Sequence, residues 1–545
     1  MDFTVKRLDH LGIIAGIMQD LNIAKLIDER FKPDRQMNVT PGEAVVAMIL
    51  NGLGFSNRVT TLTPQFFSNK PMNLLMGKDI TEEQLNRHKL GRTLDAIASY
   101  GCEKLFNEIA LLVCTKEEID LRKAHNDTTS FSVEGSYENQ LEDAEVHITH
   151  GYSKAKRPDL KQIILELVVS FDGGTPFMMK PWSGNTADTK IFNERIKELQ
   201  KAGIEANTGR TLIADSKLYT EENIKALEAT YFITRVPATI KEEKIHVLKA
   251  LNDNIWTEID KSYKFRSFDL HHYGIEQRWI VFYSEAARNR AEKTLEKTVQ
   301  KHEKELETDL SQLEKKHFGC HDDANKALES IIKKYRYHQI NDSKIIAIKR
   351  YEKPGKPAAG VEKIVDHYEI TATFSRVPEN VKNELNQRSC FVLATNISKK
   401  VLVDSDVLKE YKHQDCVEKC FEFMKAPSFF AASFFIKSTT RIQAMLVVMT
   451  LALLIYTVAQ RRLRKYLSIN KETIPNQIKK PTERPTLRWA FQLLEGIDYV
   501  INYAVPGLVE KMILGLTDLR KQILSCFGET VLKIYQINRP DGYFS

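Results

Sequence analysis

Apolar residues recur at helical spacing through the first 120 positions. Thr40-Pro41-Gly42-Glu43 is a capping box with proline at the first helical position, and it leads into the apolar run AVVAMILNGLG. A second helical run is expected from Arg92 to Cys114. The period then changes. LRKAHNDTTSFSV, with Thr128, Thr129, Phe131 and Val133, favours extended backbone. It is followed by a loop, an apolar run from Ile163 to Val169, an Asp-Gly-Gly turn at Asp172 to Gly174, and a returning strand. Asp-Gly between apolar runs is a strong hairpin signal. TLIADSKLYTEENIKAL reads as a short strand ending at Asp215 and a helix opened by Thr220, with another strand from Tyr231 to Val236.

Beyond residue 240 the pattern is mixed. Strand-like runs at Lys264–Leu270, Arg278–Ser284 and His367–Phe374 enclose a charged stretch from Ala286 to about Tyr337. Its sparse leucines (Leu295, Leu306, Leu310, Leu313) predict a solvated helix or helical hairpin. RSCFVLATN is one more strand. Ile442 to Ala459 is nearly all apolar, about the minimum for a membrane span. Gln443, Thr450 and Thr457 interrupt it, so the expectation is a buried core helix and no membrane. The tail FQLLEGIDYVINYAVPGLVEKMIL reads as helical.

At 545 residues, 42% hydrophobic and 28% charged, the chain is expected to be a soluble globular protein of several domains. Seven cysteines without paired spacing suit a reducing cytoplasm, and MDFTVKRLDHLG lacks the apolar core of a signal peptide. The net charge of +7 is concentrated: residues 461 to 488 carry nine Lys and Arg against two Glu. Such a basic, proline-broken linker suits a DNA backbone, or serves only as a solubilising connector. Lys154, Arg157 and Lys161 form a second basic run, and Trp182 is either a base-stacking surface or core. Cys416 and Cys420, four apart, point to packing more than to metal, while His317, Cys320 and His321 are a weak metal-ligand set.

The most informative segment is YKHQDCVEKCFEFMK, residues 411 to 425. As one helix it would bury Val417, Cys420, Phe421 and Met424 and align Tyr411, Gln414, Glu418 and Lys425 on an adjacent stripe. That stripe is either a solvated face or a carboxylate set beside an ammonium and a phenol for a metal ion and a phosphate.

The spacing resembles the Tyr-x2-Arg-x3-Glu-x6-Lys signature of a superfamily of bacterial insertion-sequence DDE transposases, with Gln414 where arginine is usual. The resemblance implies an α/β fold: an RNase H-like mixed-sheet catalytic core, interrupted by an inserted α+β domain, with helical N- and C-terminal regions. The corresponding divisions are 1–120 for transposon-end binding, 121–240 and 388–470 for the two parts of the core, 241–387 for the insertion, and 471–545 for the basic linker and helical tail. It further implies Asp127, Asp215 and Glu418 as catalytic metal ligands, holding two Mg²⁺ ions (Mn²⁺ substituting). Tyr411, Gln414, Lys425, Lys154, Arg157, Lys161 and Trp182 would contact DNA. Oxygen-rich ligands suit a hard cation, and two such ions roughly 3.5–4 Å apart serve phosphodiester cleavage and strand transfer. The expected partners are double-stranded DNA, both element ends and target, and a second copy of the chain in a synaptic homodimer. The expected location is the bacterial cytoplasm, at the nucleoid. A catalytically inactive, transposase-derived DNA-binding protein and an RNase H-like nuclease without strand transfer remain as alternatives.

Overall fold

The computed structural model describes residues 3–34, 36–56, 60–138, 140, 142, 144–154, 156–201, 210–352, 362–427, 429, 436–505 and 508–537. The chain divides into two compact units, residues 1–234 with 408–545, and residues 235–407.

The first unit opens on a strand where the sequence suggested only helices. β1 (Phe3–Arg7) alternates in period two and pairs antiparallel with β15 (Asp498–Val505) of a C-terminal hairpin. The capping box is present: Thr40 Oγ1 accepts from the Glu43 N–H at 3.1 Å, and the Glu43 carboxylate accepts from the Thr40 N–H at 2.8 Å, starting helix Pro41–Leu53. The run expected from Arg92 to Cys114 is two helices, Arg87–Tyr100 and Cys102–Lys116. Gly101 between them has φ +104°, which ends the first helix cleanly and which a side chain would resist.

β2 (Lys123–Val133), β3 (Lys161–Ser170) and β4 (Pro176–Ser183) form the expected antiparallel meander. Gly173 and Gly174 both take positive φ in the β3–β4 turn, as an Asp-Gly-Gly hairpin requires. β5 (Thr211–Ala214) then lies parallel to β2, and β6 (Tyr231–Arg235) parallel to β5, giving the order β4-β3-β2-β5-β6.

The inward sides of β2 and β3 meet at a buried charge network. The Glu166 carboxylate accepts from Arg195 Nε at 2.9 Å, Asn126 Nδ2 at 3.0 Å and Trp182 Nε1 at 3.0 Å. Glu166 and Arg195 are almost wholly buried, so their attraction is little screened, but neither tolerates losing the other.

In the second unit, β7 (Thr257–Glu258), β8 (Tyr263–His272), β9 (Ile275–Ser284) and β12 (Cys390–Thr395) form an antiparallel sheet in the order β12-β9-β8-β7. The charged stretch forms helices Glu285–Glu314 and His321–Lys334, burying Leu295, Leu306, Leu310 and Leu313 as their spacing predicted. β10 (His338–Arg350) and β11 (Ile364–Arg376) are a long hairpin; only β11 was anticipated. Because β12 pairs with β9, residues 388–407 belong with the second unit rather than with the part of the chain that follows.

The chain re-enters the first unit and forms helix Thr439–Asn470. Ile442 to Ala459 is the core helix expected: nearly all buried, against helices Leu11–Asp20, Pro41–Leu53, Arg87–Tyr100 and Cys102–Lys116 and against β4. Among the described residues it is the one helix long and apolar enough to cross a membrane. Thr450 and Thr457 return their hydroxyls to the carbonyls of Leu446 and Leu454, so the polar interruptions cost little. The expected basic linker is instead the last turns of this helix and a small antiparallel pair, β13 (Ile474–Pro475) and β14 (Pro481–Thr482). The expected helical tail is corrected too. After helix Leu487–Leu493 the chain makes β15 (Asp498–Val505) and β16 (Leu508–Leu514). The signal was present in the Pro506-Gly507 dipeptide, which lies outside the described residues and which no helix interior favours.

Arg195→Met strands the Glu166 carboxylate and is expected to cost about 3–5 kcal/mol, read as a lower urea midpoint. The pair Arg195→Met with Glu166→Gln should recover most of that loss. A single-variant loss below about 1 kcal/mol would show that the network does not hold the sheet.

Candidate active site

β2 presents two faces. Asn126 and Thr128 point toward Glu166 and helix Asp188–Lys201. His125, Asp127, Thr129 and Phe131 alternate with them and look the other way. On that second side lies helix Asp415–Lys425, its Val417, Cys420, Phe421 and Met424 buried as the sequence predicted. Phe171 packs against both His125 and His413, and Lys425 donates to Thr129 Oγ1 at 2.5 Å while lying over the Phe131 ring.

The parallel register is Asn126↔Ala214, so Asp215, the next residue after β5, comes level with Asp127. Each acid has one oxygen fixed by a backbone N–H: Thr128 to Asp127 Oδ1 at 2.7 Å, Lys217 to Asp215 Oδ1 at 2.9 Å. Thr234 Oγ1 holds the Asp215 carbonyl at 2.7 Å, and Thr220 caps the following helix, Glu221–Ala226, as expected.

A third acid, Asp188, completes the cluster and was not anticipated. It accepts from Thr128 Oγ1 at 2.6 Å, pairs with Lys154 at 3.4 Å and pairs with Lys217. Lys154 also donates to the Thr128 carbonyl at 2.7 Å. Charge is divided unevenly. Burial would raise Asp188, but hydrogen bonds from Lys217 and Thr128 and the Lys154 ammonium hold it below the usual carboxylate range. Asp127 is pushed up to about 6 by burial, with Asp215 and Asp188 adding to the shift against the Thr128 N–H and Lys154. Asp215 is raised too, by burial first and by Asp188. Among the described ion pairs none involves Asp127 or Asp215. Two half-buried carboxylates side by side, each with one oxygen uncommitted, suit a hard divalent cation.

Glu418 is exposed on helix Asp415–Lys425 and is not among the charges that perturb Asp127 and Asp215. Seven residues separate it from Lys425, so the two share a stripe, and Lys425 reaches the strand that carries Asp127. Glu422 lies one turn before Lys425 on the same side of the helix and is also exposed. Burial and the neighbouring Lys154 lower the Lys425 ammonium, while Asp127 opposes them.

The residues expected to contact DNA have the following surroundings. The predicted continuous helix from 411 to 425 is two, Asp404–Lys412 and Asp415–Lys425. Three-residue bonds (Gln414 N–H to Tyr411 O, Cys416 N–H to His413 O) replace the helical ladder where His413 turns onto Phe171. Tyr411 therefore sits on the earlier helix, and Gln414 is buried rather than displayed to a phosphate. Trp182 is held by Glu166 instead of standing ready for a base. Arg157 is neutralised by a two-pronged pair with Asp159, and the Lys161 ammonium is bonded to the Ser136 carbonyl. Lys154 is drawn into the acidic cluster. Cys420 donates to the Gly174 carbonyl, a packing contact. In the basic segment, Arg461 is consumed by Asp172 and Arg462 by Glu117 and Asp20. Arg464, Lys465 and Arg484 instead line a cavity of about 430 Å³.

The sequence family described as "Transposase DDE domain" matches residues 126–455. The chain belongs to this family of DDE transposases. Residues 3–111 match a second family, described as a domain of unknown function (DUF4277). No curated protein matches the chain. Among solved structures, it is similar to a piggyBac transposase seen by cryo-electron microscopy in a synaptic complex with hairpin DNA. That match has 10% identity and a TM-score of 0.38 over 97% of this chain and 88% of the other, a likeness too distant to bear on fold or mechanism.

The raised pKa of Asp127 carries a sign that can be checked. An acid whose folded pKa lies above its unfolded value stabilises the fold at low pH, and that contribution disappears as pH rises through about 6. In EDTA at pH 8, Asp127→Asn is therefore expected to melt about 2–4 °C above the parent, and the gap should close at pH 4. Mg²⁺ should raise the parent's Tm and leave the variant's unchanged. Equal melting at both pH values would mean that Asp127 is not held in a strained ionised form.

Proposed function

We propose that this protein cuts phosphodiester bonds at the ends of its own insertion sequence and joins the freed 3′-hydroxyl to target DNA. The first unit would act as an RNase H-like core. The observation carrying this reading is the parallel pairing of β2 and β5, which sets Asp127 and Asp215 abreast as half-buried acids that form none of the described ion pairs. The antiparallel β4-β3-β2 followed by parallel β5 and β6, with one acid on the first of these strands in chain order and another just after the fourth, supports the core assignment.

Asp127 and Asp215 would hold the metal, Mg²⁺ with Mn²⁺ as a substitute, and Glu418 would complete the set from its helix. The bound ions supply an activated water or hydroxyl and neutralise phosphate charge. The chain's own work is positional. Thr128 and Lys217 N–H groups orient the two aspartates. Asp188 takes the direct ion pairs of Lys154 and Lys217. Lys425, half-desolvated beside Asp127, offers its ammonium to a scissile-strand phosphate. The partners would be double-stranded DNA and a second copy of the chain in a synaptic homodimer, in a bacterial cytoplasm.

A second reading, a DNA-binding protein without catalysis, draws on two observations: Gln414 is buried where the resembled signature has arginine, and Glu418 is exposed and not among the main charges acting on the acidic pair.

The deciding experiment is Mg²⁺-dependent cleavage of DNA carrying the element's ends, followed by joining to a target plasmid. Asp127→Ala, Asp215→Ala and Glu418→Ala are each expected to lower cleavage by at least about 10³-fold while end binding persists. Glu422→Ala is expected to keep most of the activity. Loss in Glu422→Ala with retention in Glu418→Ala would move the third ligand one turn along the helix. Binding without cleavage by the parent chain would favour the second reading.

A further inference from the structure

We propose that the second unit carries a transition-metal site of the zinc class, formed by His317, His367 and Glu369 and separate from the acidic pair. The ligand atoms of these three residues lie within 4.8 Å of one another. His367 Nε2 is 3.0 Å, and His317 Nε2 3.6 Å, from the same oxygen, Glu369 Oε1. Ligands bound at about 2.1 Å in a tetrahedron stand about 3.4 Å apart, so both separations fit one shared ion. The two imidazole rings are stacked with centroids 3.7 Å apart.

The surroundings orient the ligands. Asp366 Oδ2 lies 3.0 Å from His367 Nδ1, and Arg350 fixes the other Asp366 oxygen at 2.7 Å. A carboxylate on Nδ1 fixes that nitrogen as a donor, and the Nε2 proton that His367 shares with Glu369 is the one a metal ion would displace. That is the carboxylate–histidine arrangement that supports a metal ligand. The backbone is tied at the same place. Phe318 and Tyr368 exchange both N–H···O bonds, at 3.0 and 2.9 Å, which holds the turn bearing His317 against β11.

Two imidazoles and one carboxylate favour zinc over magnesium. His317 is more than half exposed, so the site is open to solvent and one coordination position remains for water. The sequence pointed instead to His317 with Cys320 and His321. Cys320 caps helix His321–Lys334 by accepting from the Asp323 N–H, and the true partners of His317 are some fifty residues away on β11. A bound ion would cross-link the segment ahead of that helix to the hairpin.

The test is Zn²⁺ and Co²⁺ titration of the full chain with Mg²⁺ in excess, reading stoichiometry by calorimetry and ligand type by the visible Co²⁺ spectrum. One Zn²⁺ per chain is expected, retained when Asp127 and Asp215 are both changed to Ala. His317→Ala, His367→Ala and the isosteric Glu369→Gln should each weaken it by about 100-fold or more, and Asp366→Asn by about 10–100-fold. Circular dichroism of Glu369→Gln would establish that the fold persists. Absence of a stoichiometric site, its loss in the Asp127/Asp215 variant, or unchanged affinity in both histidine variants would overturn the proposal.

Discussion

A single register match between two parallel strands creates the central electrostatic problem of this molecule. Aligning Asn126 with Ala214 sets Asp127 beside Asp215 in a setting that excludes most water. Like charges at that range, poorly solvated, push each other toward the neutral form. The fold therefore holds an unfavourable charge arrangement, one that a divalent cation would relieve under the proposed function. Its other features can be understood as what keeps the two strands aligned while the conflict persists.

Two layers do that. Behind β2, Glu166 and Arg195 lock Asn126 and Trp182, so the strand is gripped by charge-assisted bonds on the side away from the acids. In front, helix Asp415–Lys425 lays an apolar face on the same strand and ends with Lys425 on Thr129. That helix runs on toward Thr439–Asn470, whose apolar stretch is surrounded by four N-terminal helices and β4. Helix Asp415–Lys425 thus couples the strand to a core that segments from both ends of the chain build around Thr439–Asn470.

Legibility in the sequence followed interaction range. Hairpin turns and caps depend on residues a few positions apart, and both the Asp172–Gly174 turn and the Thr40 cap were readable. The buried stripe Val417, Cys420, Phe421, Met424 was readable because helical period and burial coincide. The break at His413 was not: the contact made there is with Phe171, a residue remote in sequence. Gly101 and Pro506-Gly507 were local signals passed over in favour of apolar periodicity. Asp188 and Lys217 illustrate the harder limit. SGNTADTK reads as a turn and helix start, and only the tertiary fold brings its aspartate to Thr128, Lys154 and Lys217.

Asp188 also explains why the acidic pair can persist uncompensated. Two lysines lie close enough to neutralise Asp127 and Asp215, and both act on them electrostatically. If either ammonium bonded the pair directly, the carboxylates would be satisfied and their affinity for a cation would fall. Asp188 captures both lysines at the mouth of its helix, where the positive end of the dipole further favours its ionised form. The cluster therefore separates its charges into a satisfied triad of Asp188, Lys154 and Lys217 and an unsatisfied pair. Positive charge stays beside the pair, and one oxygen of each unpaired aspartate is left uncommitted, as the proposed metal role would require.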